Sequence, residues 1–202
     1  MTEEIIQTGE SLLIEADPIL GEVIKKQKIE IPEPTSDYFA SLVRSIIGQQ
    51  VSVAAARTIA GRFIEKTNME SVKVVALSDE ELRAIGLSRQ KAGYIRDLAH
   101  HFVANPDIYN HLNDLNDEDV IADLIAVKGI GAWTAQMFLM FTLCRPDVFA
   151  PDDVGLQRAM MHLYEWETLP PKKELAAASE KWRPYRTIAC LHLWHSLDNN
   201  PS

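Results

Sequence analysis

Leu124-Ile125-Ala126-Val127-Lys128-Gly129-Ile130-Gly131-Ala132-Trp133-Thr134-Ala135-Gln136, an apolar run to Leu143, and then Phe149-Ala150-Pro151-Asp152-Asp153 form the stretch whose reading decides the fold. Apolar residues at 120, 121, 124, 125 and 127 give helical spacing over residues 119–127, and residues 132–143 form a second, almost wholly apolar helical pattern. Only residues 128–131 separate the two. A turn that tight needs backbone angles that glycine opens, and glycine also lets another molecule approach the main chain. The amides of Gly129, Gly131 and Ala132 fall at the N-terminus of the second helix, where unpaired N–H groups and the helix dipole favour an anion. Lys128 adds a cation there, and Ile130 is expected to plug the turn into the core. A plain helix–helix turn and a phosphate grip are both compatible with the spacing alone.

Pro151-Asp152-Asp153 opens the next helical pattern, 154–166. One reading makes one of the pair an N-cap, for which Asp is among the best residues. The functional reading needs the other acid of the pair to face a cleft, where it could stabilise developing positive charge and orient or deprotonate a water. An anion grip one helix away from a carboxylate suggests an enzyme acting on a nucleic-acid backbone.

Outside this stretch, helix signals recur and strand signals are nearly absent, so an all-α fold of about ten helices is predicted. Pro18 starts a helix to about Gln27, 29–34 is a Pro-containing connector, and Ser36 is expected to cap a helix over 37–47. Ser52 is a cap for 53–65, Ser78-Asp79-Glu80-Glu81 has the capping-box pattern before a helix ending at Gly86, and Ser88 caps 89–103. Asn105-Pro106 is a stop, Asn116 a restart, Pro170-Pro171 opens 172–183, and 187–197 is a last apolar helix.

The chain has 202 residues, 47% of them hydrophobic, enough for one or two compact lobes. Its longest apolar run, 137–143, falls far short of the roughly 18 residues that span a bilayer. The acidic start Met1-Thr2-Glu3-Glu4 does not read as a secretory or mitochondrial signal, and a cytoplasmic location is expected. Cys144 and Cys190 cannot supply a four-cysteine cluster and read as buried free thiols. The six histidines form no metal motif; His192 and His195 are expected to be one packed and one solvated. Against 20 Lys and Arg stand 29 Asp and Glu, a net charge of -9 that weighs against a nucleic-acid partner. Lys128, Arg57, Arg89, Lys91 and Arg158 are the candidate phosphate cations, and weak, salt-sensitive non-specific binding follows.

Val127–Ala135 resembles the hairpin of the helix-hairpin-helix base-excision DNA glycosylases, and Phe149–Leu156 resembles the aspartate-bearing segment that follows it. Ser45-Ile46-Ile47-Gly48-Gln49-Gln50-Val51-Ser52 and Leu191-His192-Leu193-Trp194 are similar to two further signatures of the 3-methyladenine DNA glycosylase II branch. Four motifs in order are far more specific than one, and the resemblance covers roughly residues 15–198.

The resemblance implies a two-lobed helical fold, with residues 36–145 as the hairpin lobe. Residues 1–35 and 146–202 would form the second lobe, with the active site in the cleft between the two. It implies excision of alkylated purines, 3-methyladenine or 7-methylguanine, from double-stranded DNA by a monomer. Asp153 aligns with the catalytic aspartate. Trp133 and Trp194 match aromatic positions that hold the flipped base, Met137 lines the same pocket, and Gln50 fills the hole left in the stack. For the tryptophans the alternative is core packing; for Gln50 it is a solvent-exposed turn. Trp166 and Trp182 are assigned to core or surface. Trp133 stands where strand-cutting relatives carry a lysine nucleophile, so base removal without strand cleavage is implied. No cofactor is expected to be required; the carbonyls of Ile125, Val127 and Ile130 could hold Na+ or K+ bridging to a phosphate. The rival readings are a non-catalytic helix-hairpin-helix module and a glycosylase for oxidised or deaminated bases.

Overall fold

The computed structural model describes residues 1–198. Its regular elements are α1 (Glu3–Ala16), α2 (Pro18–Ile24), α3 (Tyr38–Gly48), α4 (Val53–Thr67), α5 (Ser71–Ala76) and α6 (Asp79–Ala84). They continue with α7 (Arg89–Ala104), α8 (Asp117–Ile125), α9 (Ala132–Phe141), α10 (Val154–Leu163), α11 (Lys172–Ser179) and α12 (Arg186–Asp198). Short 3-10 helices occupy Asn110–Asp114 and Glu180–Trp182. Among the described residues there is no strand, and the fold is all-α. No described helix is long and apolar enough to cross a membrane.

Local chemistry sets most helix starts. Ser52, Ser88 and Asn116 each accept a hydrogen bond from the backbone three residues on, and Ser78 with Glu81 forms the reciprocal capping box. Gly86, φ +112, takes the left-handed angle that ends the α6 turn. One reading is corrected, and two helices add to those read from the sequence. The cap of α3 is Asp37, whose carboxylate accepts from Ala40 N at 3.0 Å, and not Ser36. α1, which the sequence reading passed over, is a 14-residue helix capped by Thr2, with Glu3 and Glu4 in its first turn and Ile6 and Leu13 buried. α5 was likewise not foreseen; its buried anchor is Val74.

The chain divides into two compact units, one of residues 1–34 with the chain from Leu139 onward, the other Thr35–Phe138. In the first, α1 packs on α2 and both meet α12, which also packs on α10. Its polar centre is Asp17, 2% exposed, which caps α2 and accepts from Trp182 Nε1 at 2.8 Å, from Lys181 Nζ at 3.0 Å and from the Tyr164 hydroxyl. Burial alone would raise the Asp17 carboxyl; the bonds from Tyr164, Trp182, Lys181 and the Leu20 amide outweigh it and hold it below its ordinary value. Trp182 is thus core, and Trp166 stacks on Tyr164. In the second unit α7 is the central element, packed by α3, α5 and α6. Both cysteines are buried free thiols, and burial pushes that of Cys190 well up. His192 is buried and His195 partly exposed.

Candidate active site

The candidate residues divide between the two units. In the Thr35–Phe138 unit, α8 ends at Ile125 and α9 begins at Ala132, with Gly129 at φ +91 between them. A Cβ on Gly129 would lie 2.2 Å from Cγ and 2.3 Å from Cδ2 of Tyr94, whose ring on α7 closes over the turn. A Cβ on Gly131 would meet nothing within 4 Å. The two glycines therefore serve different needs: Gly129 admits a tyrosine of the same unit, whereas Gly131 keeps open an approach to the exposed start of α9. Ile130 is buried as expected. Lys128 is exposed, its Nζ 4.0 Å from Asp97. The Val127 carbonyl accepts the Ile130 amide at 3.1 Å.

The turn between α3 and α4 is braced against this hairpin. Gln49 Nε2 donates to the Gly129 carbonyl and to Thr134 Oγ1, each at 3.0 Å. Lys91 Nζ donates to the carbonyls of Ile47 at 2.8 Å and Gln49 at 2.6 Å. Lys91 is thus engaged with α3's last carbonyls rather than displayed as a phosphate cation, and its burial lowers its ammonium below the ordinary lysine value. Arg57 and Arg89 are exposed on this unit, and Arg158 on the other. Gln50 is exposed with φ +55, a left-handed angle that costs a non-glycine residue about 1–2 kcal/mol. On α9, Trp133 is half-buried and Met137 buried one turn on. Gln136 carries a buried Oε1 with no hydrogen-bond partner.

In the other unit, Asp153 is the N-cap of α10: its Oδ1 accepts from Leu156 N at 2.8 Å. The same oxygen accepts from Trp194 Nε1 on α12, also at 2.8 Å. The indole ring of Trp194 leans on Phe141 with centroids 5.7 Å apart. Gly155 makes room for this: a Cβ there would lie 3.1 Å from Cδ1 and Nε1 of Trp194 and 3.0 Å from Asp153 Oδ1. Asp152 is exposed and paired with Lys172. The expected split of the two acids into one cap and one functional carboxylate is therefore replaced: Asp153, the functional candidate, is itself the cap.

Residues 43–184 match the HhH-GPD superfamily of base excision DNA repair proteins. The chain belongs to this superfamily. Among curated proteins it is similar to one of Bacillus subtilis provisionally named a DNA-3-methyladenine glycosylase, 31% identical over 166 residues, 78% of this chain but only 58% of that protein's length. Among solved structures, 3-methyladenine DNA glycosylase of Schizosaccharomyces pombe in complex with abasic DNA superposes with a TM-score of 0.85 at 26% identity, covering 95% of this chain and 97% of that one. A DNA-3-methyladenine glycosidase of Bacillus halodurans gives 0.77 at 36% identity, covering 93% and 88%.

Within the superfamily frame, the structure joins Asp153 to Trp194, and the Gln49-Gln50 turn to the hairpin. Sequence reasoning missed Gln49, Lys91, Tyr94 and Gly155 as members of these groups. The Gln49-Gln50 doublet was visible, but spacing could not say which side chain faces the protein; here it is Gln49. Among the described residues no cluster of three or more His, Cys, Asp or Glu side chains could hold a metal ion.

Proposed function

We propose that the protein is a DNA glycosylase that removes alkylated purines of the 3-methyladenine and 7-methylguanine type from double-stranded DNA and leaves the strand intact. The observation that carries this reading is Asp153. Its carboxylate is fixed by an indole N–H and a backbone amide at a helix N-terminus, in a superfamily whose members work on DNA bases. In the proposed reaction, the bond between C1′ and the base nitrogen breaks with its electron pair leaving on the base. An alkylated purine already carries a positive charge, so it departs neutral and needs no general acid. The sugar becomes oxocarbenium-like, and Asp153 stabilises that charge while a water adds to C1′, its proton passing to the carboxylate or to solvent.

Trp133 offers a face to a cationic base. It also argues against strand cleavage, since an indole cannot form the Schiff base that a lysine would. The amides of Gly129, Gly131 and Ala132 would take a backbone phosphate, supported by the open approach at Gly131. The carbonyls of Ile125, Val127 and Ile130 remain the proposed seat for Na+ or K+. We further propose that the protein acts as a monomer.

The test is release of free base from alkylated duplex DNA by wild type, Asp153→Asn and Asp152→Asn. The expected pattern is release of 3-methyladenine by wild type and Asp152→Asn, none by Asp153→Asn, and no nicking by any. DNA binding by wild type without release of any base would replace the proposal with a non-catalytic module. Release confined to oxidised or deaminated bases would replace the substrate class.

A further inference from the structure

The turn that carries Gln50 is tied at both flanks. On one side, Lys91 on α7 reaches across to the carbonyls of Ile47 and Gln49, closing the C-terminus of α3. On the other, Ser52 caps α4. Between them the Gln49 amide points the opposite way from an exposed wedge: it spends its N–H2 on the Gly129 carbonyl and Thr134 Oγ1, 80 and 85 residues further along the chain. The Gly129 end of that bond lies in the hairpin, and the Thr134 end lies in the first turn of α9. Val51, next in the chain after Gln50, and Val53 are also exposed. A wedge that must replace a base in the stack meets stiff resistance, and a surface turn held only by its own backbone would fold back under it. A turn hydrogen-bonded to the element that holds the phosphate shares that element's anchorage.

We propose that Gln49 is a positioning residue that clamps the Gln50 turn to the hairpin, and that Lys91 is a second positioning residue that fixes the same turn to α7, so that phosphate grip and filling of the vacated stack form one rigid device. This rests on the reading of the protein as a base-flipping glycosylase. Gln49 is a donor in both of its bonds to the hairpin and α9, so the clamp depends on N–H groups, and not merely on the volume of the side chain.

The clamp is tested with duplexes that are intact or carry a stable abasic analogue, where the hole is already present. Affinity is measured by fluorescence anisotropy, with thermal unfolding of each variant as a control on folding. Wild type is expected to prefer the abasic duplex. Gln49→Ala and Gln49→Glu are expected to lose about tenfold of that preference, with affinity for the intact duplex within about threefold of wild type. Glu matches Gln in volume but brings an acceptor against the Gly129 carbonyl; a merely space-filling role predicts that it behaves as wild type, which would overturn the clamp. Lys91→Met is expected to shift the preference in the same direction without changing the salt dependence of intact-duplex binding. A parallel loss on both duplexes with a flatter salt dependence would make Lys91 a phosphate contact instead. A wild type with no preference for the abasic duplex would also overturn the proposal. Base release by wild type, assayed separately, decides the glycosylase reading independently of these ratios.

Discussion

Replacing Gly129 by alanine should damage the hairpin in two separable ways. The residue's φ of +91 is unfavourable for any L side chain, at about 1–2 kcal/mol. The new methyl would also fall 2.2 to 2.8 Å from Cγ, Cδ2 and Cβ of Tyr94. That is the root of the ring, which cannot swing clear as a flexible tip would. Overpacking of this kind costs about 1–3 kcal/mol. Together the two terms give about 2–5 kcal/mol, a large part of the roughly 5–15 kcal/mol that holds an ordinary domain. In a chain of this size that lowers the melting temperature by around 10 °C. Urea unfolding followed by circular dichroism measures the loss. A double-mutant cycle with Tyr94→Ala then separates the terms: removing the ring relieves the overlap with Cγ and Cδ2, but neither the close fit against the retained Cβ nor the φ, so the cycle should show a favourable coupling of about 1–3 kcal/mol. Gly131→Ala is the control. Its Cβ meets nothing within 4 Å, so stability should hold, and under the proposed phosphate grip duplex affinity should fall as the methyl enters the space the phosphate would take. The reasoning fails if Gly129→Ala costs less than about 0.5 kcal/mol, or if Gly131→Ala destabilises as much as Gly129→Ala does.

Gly155→Ala should leave stability nearly unchanged, since the gain of up to about 1 kcal/mol in helix propensity offsets a tight fit against Trp194 and Asp153 Oδ1, while base release falls roughly tenfold; full activity would mean that the indole does not need its place over Gly155. Burial pushes His192 below its ordinary value, more than the Glu10 carboxylate raises it, and His195 pushes the same way as burial. The folded protein therefore resists a proton that the unfolded chain accepts, so stability should fall as pH drops from about 6.5 towards the lower folded value; an unfolding series across this range in which His192→Gln shows the same slope as wild type would reject it. The exposed candidate cations Arg57, Arg89, Lys128 and Arg158 allow few phosphate neutralisations, so log affinity against log salt should have a slope no steeper than about −4, and one steeper than about −6 would show a basic face that these residues do not account for. Gln136→Leu should stabilise the protein by about 1 kcal/mol in urea unfolding, because it removes a buried acceptor without a donor; a loss of stability would show that the amide is satisfied in solution.

Much of the fold was legible because helix starts are local events. Ser52, Ser78, Ser88 and Asn116 each bond a backbone amide three residues away, a distance over which sequence is a reliable guide. Asp37 took the place of Ser36 because two capping residues stand side by side, and only the direction of chain entry chooses between them. The acidic start of α1 carries two meanings at once: it does not read as a basic targeting signal, and Glu3 and Glu4 complement the helix dipole behind Thr2. The same dipole pairing recurs at Asp79–Glu81 in α6 and Asp117–Asp119 in α8, while α4, α7 and α9 start without an acid. A net charge counted over the whole chain conceals this placement. The site residues that eluded the sequence act across long separations: Gln49 reaches Gly129 and Lys91 reaches Ile47, and no local rule reports such pairings.

The sequence posed capping and catalysis as competing readings of the Asp152-Asp153 pair, and in the structure the proposed catalytic acid, Asp153, is itself the cap. Leu156 N–H and Trp194 Nε1–H converge on the same Oδ1, so the helix start and the indole together fix the direction of the Asp153 carboxylate. A group that must stabilise charge only as it develops gains from being held in place beforehand, since nothing then has to reorganise at the moment of reaction. In the proposed reaction the cap would serve to orient the carboxylate, and Gly155 leaves the room in which the indole reaches it. The two roles separate chemically. Asparagine caps a helix about as well as aspartate, so Asp153→Asn keeps the start of α10 and removes the charge. Alanine removes both and costs about 1 kcal/mol of stability besides. An inactive Asn variant that unfolds like wild type would assign the loss to the missing charge, because the fold around it would be unchanged.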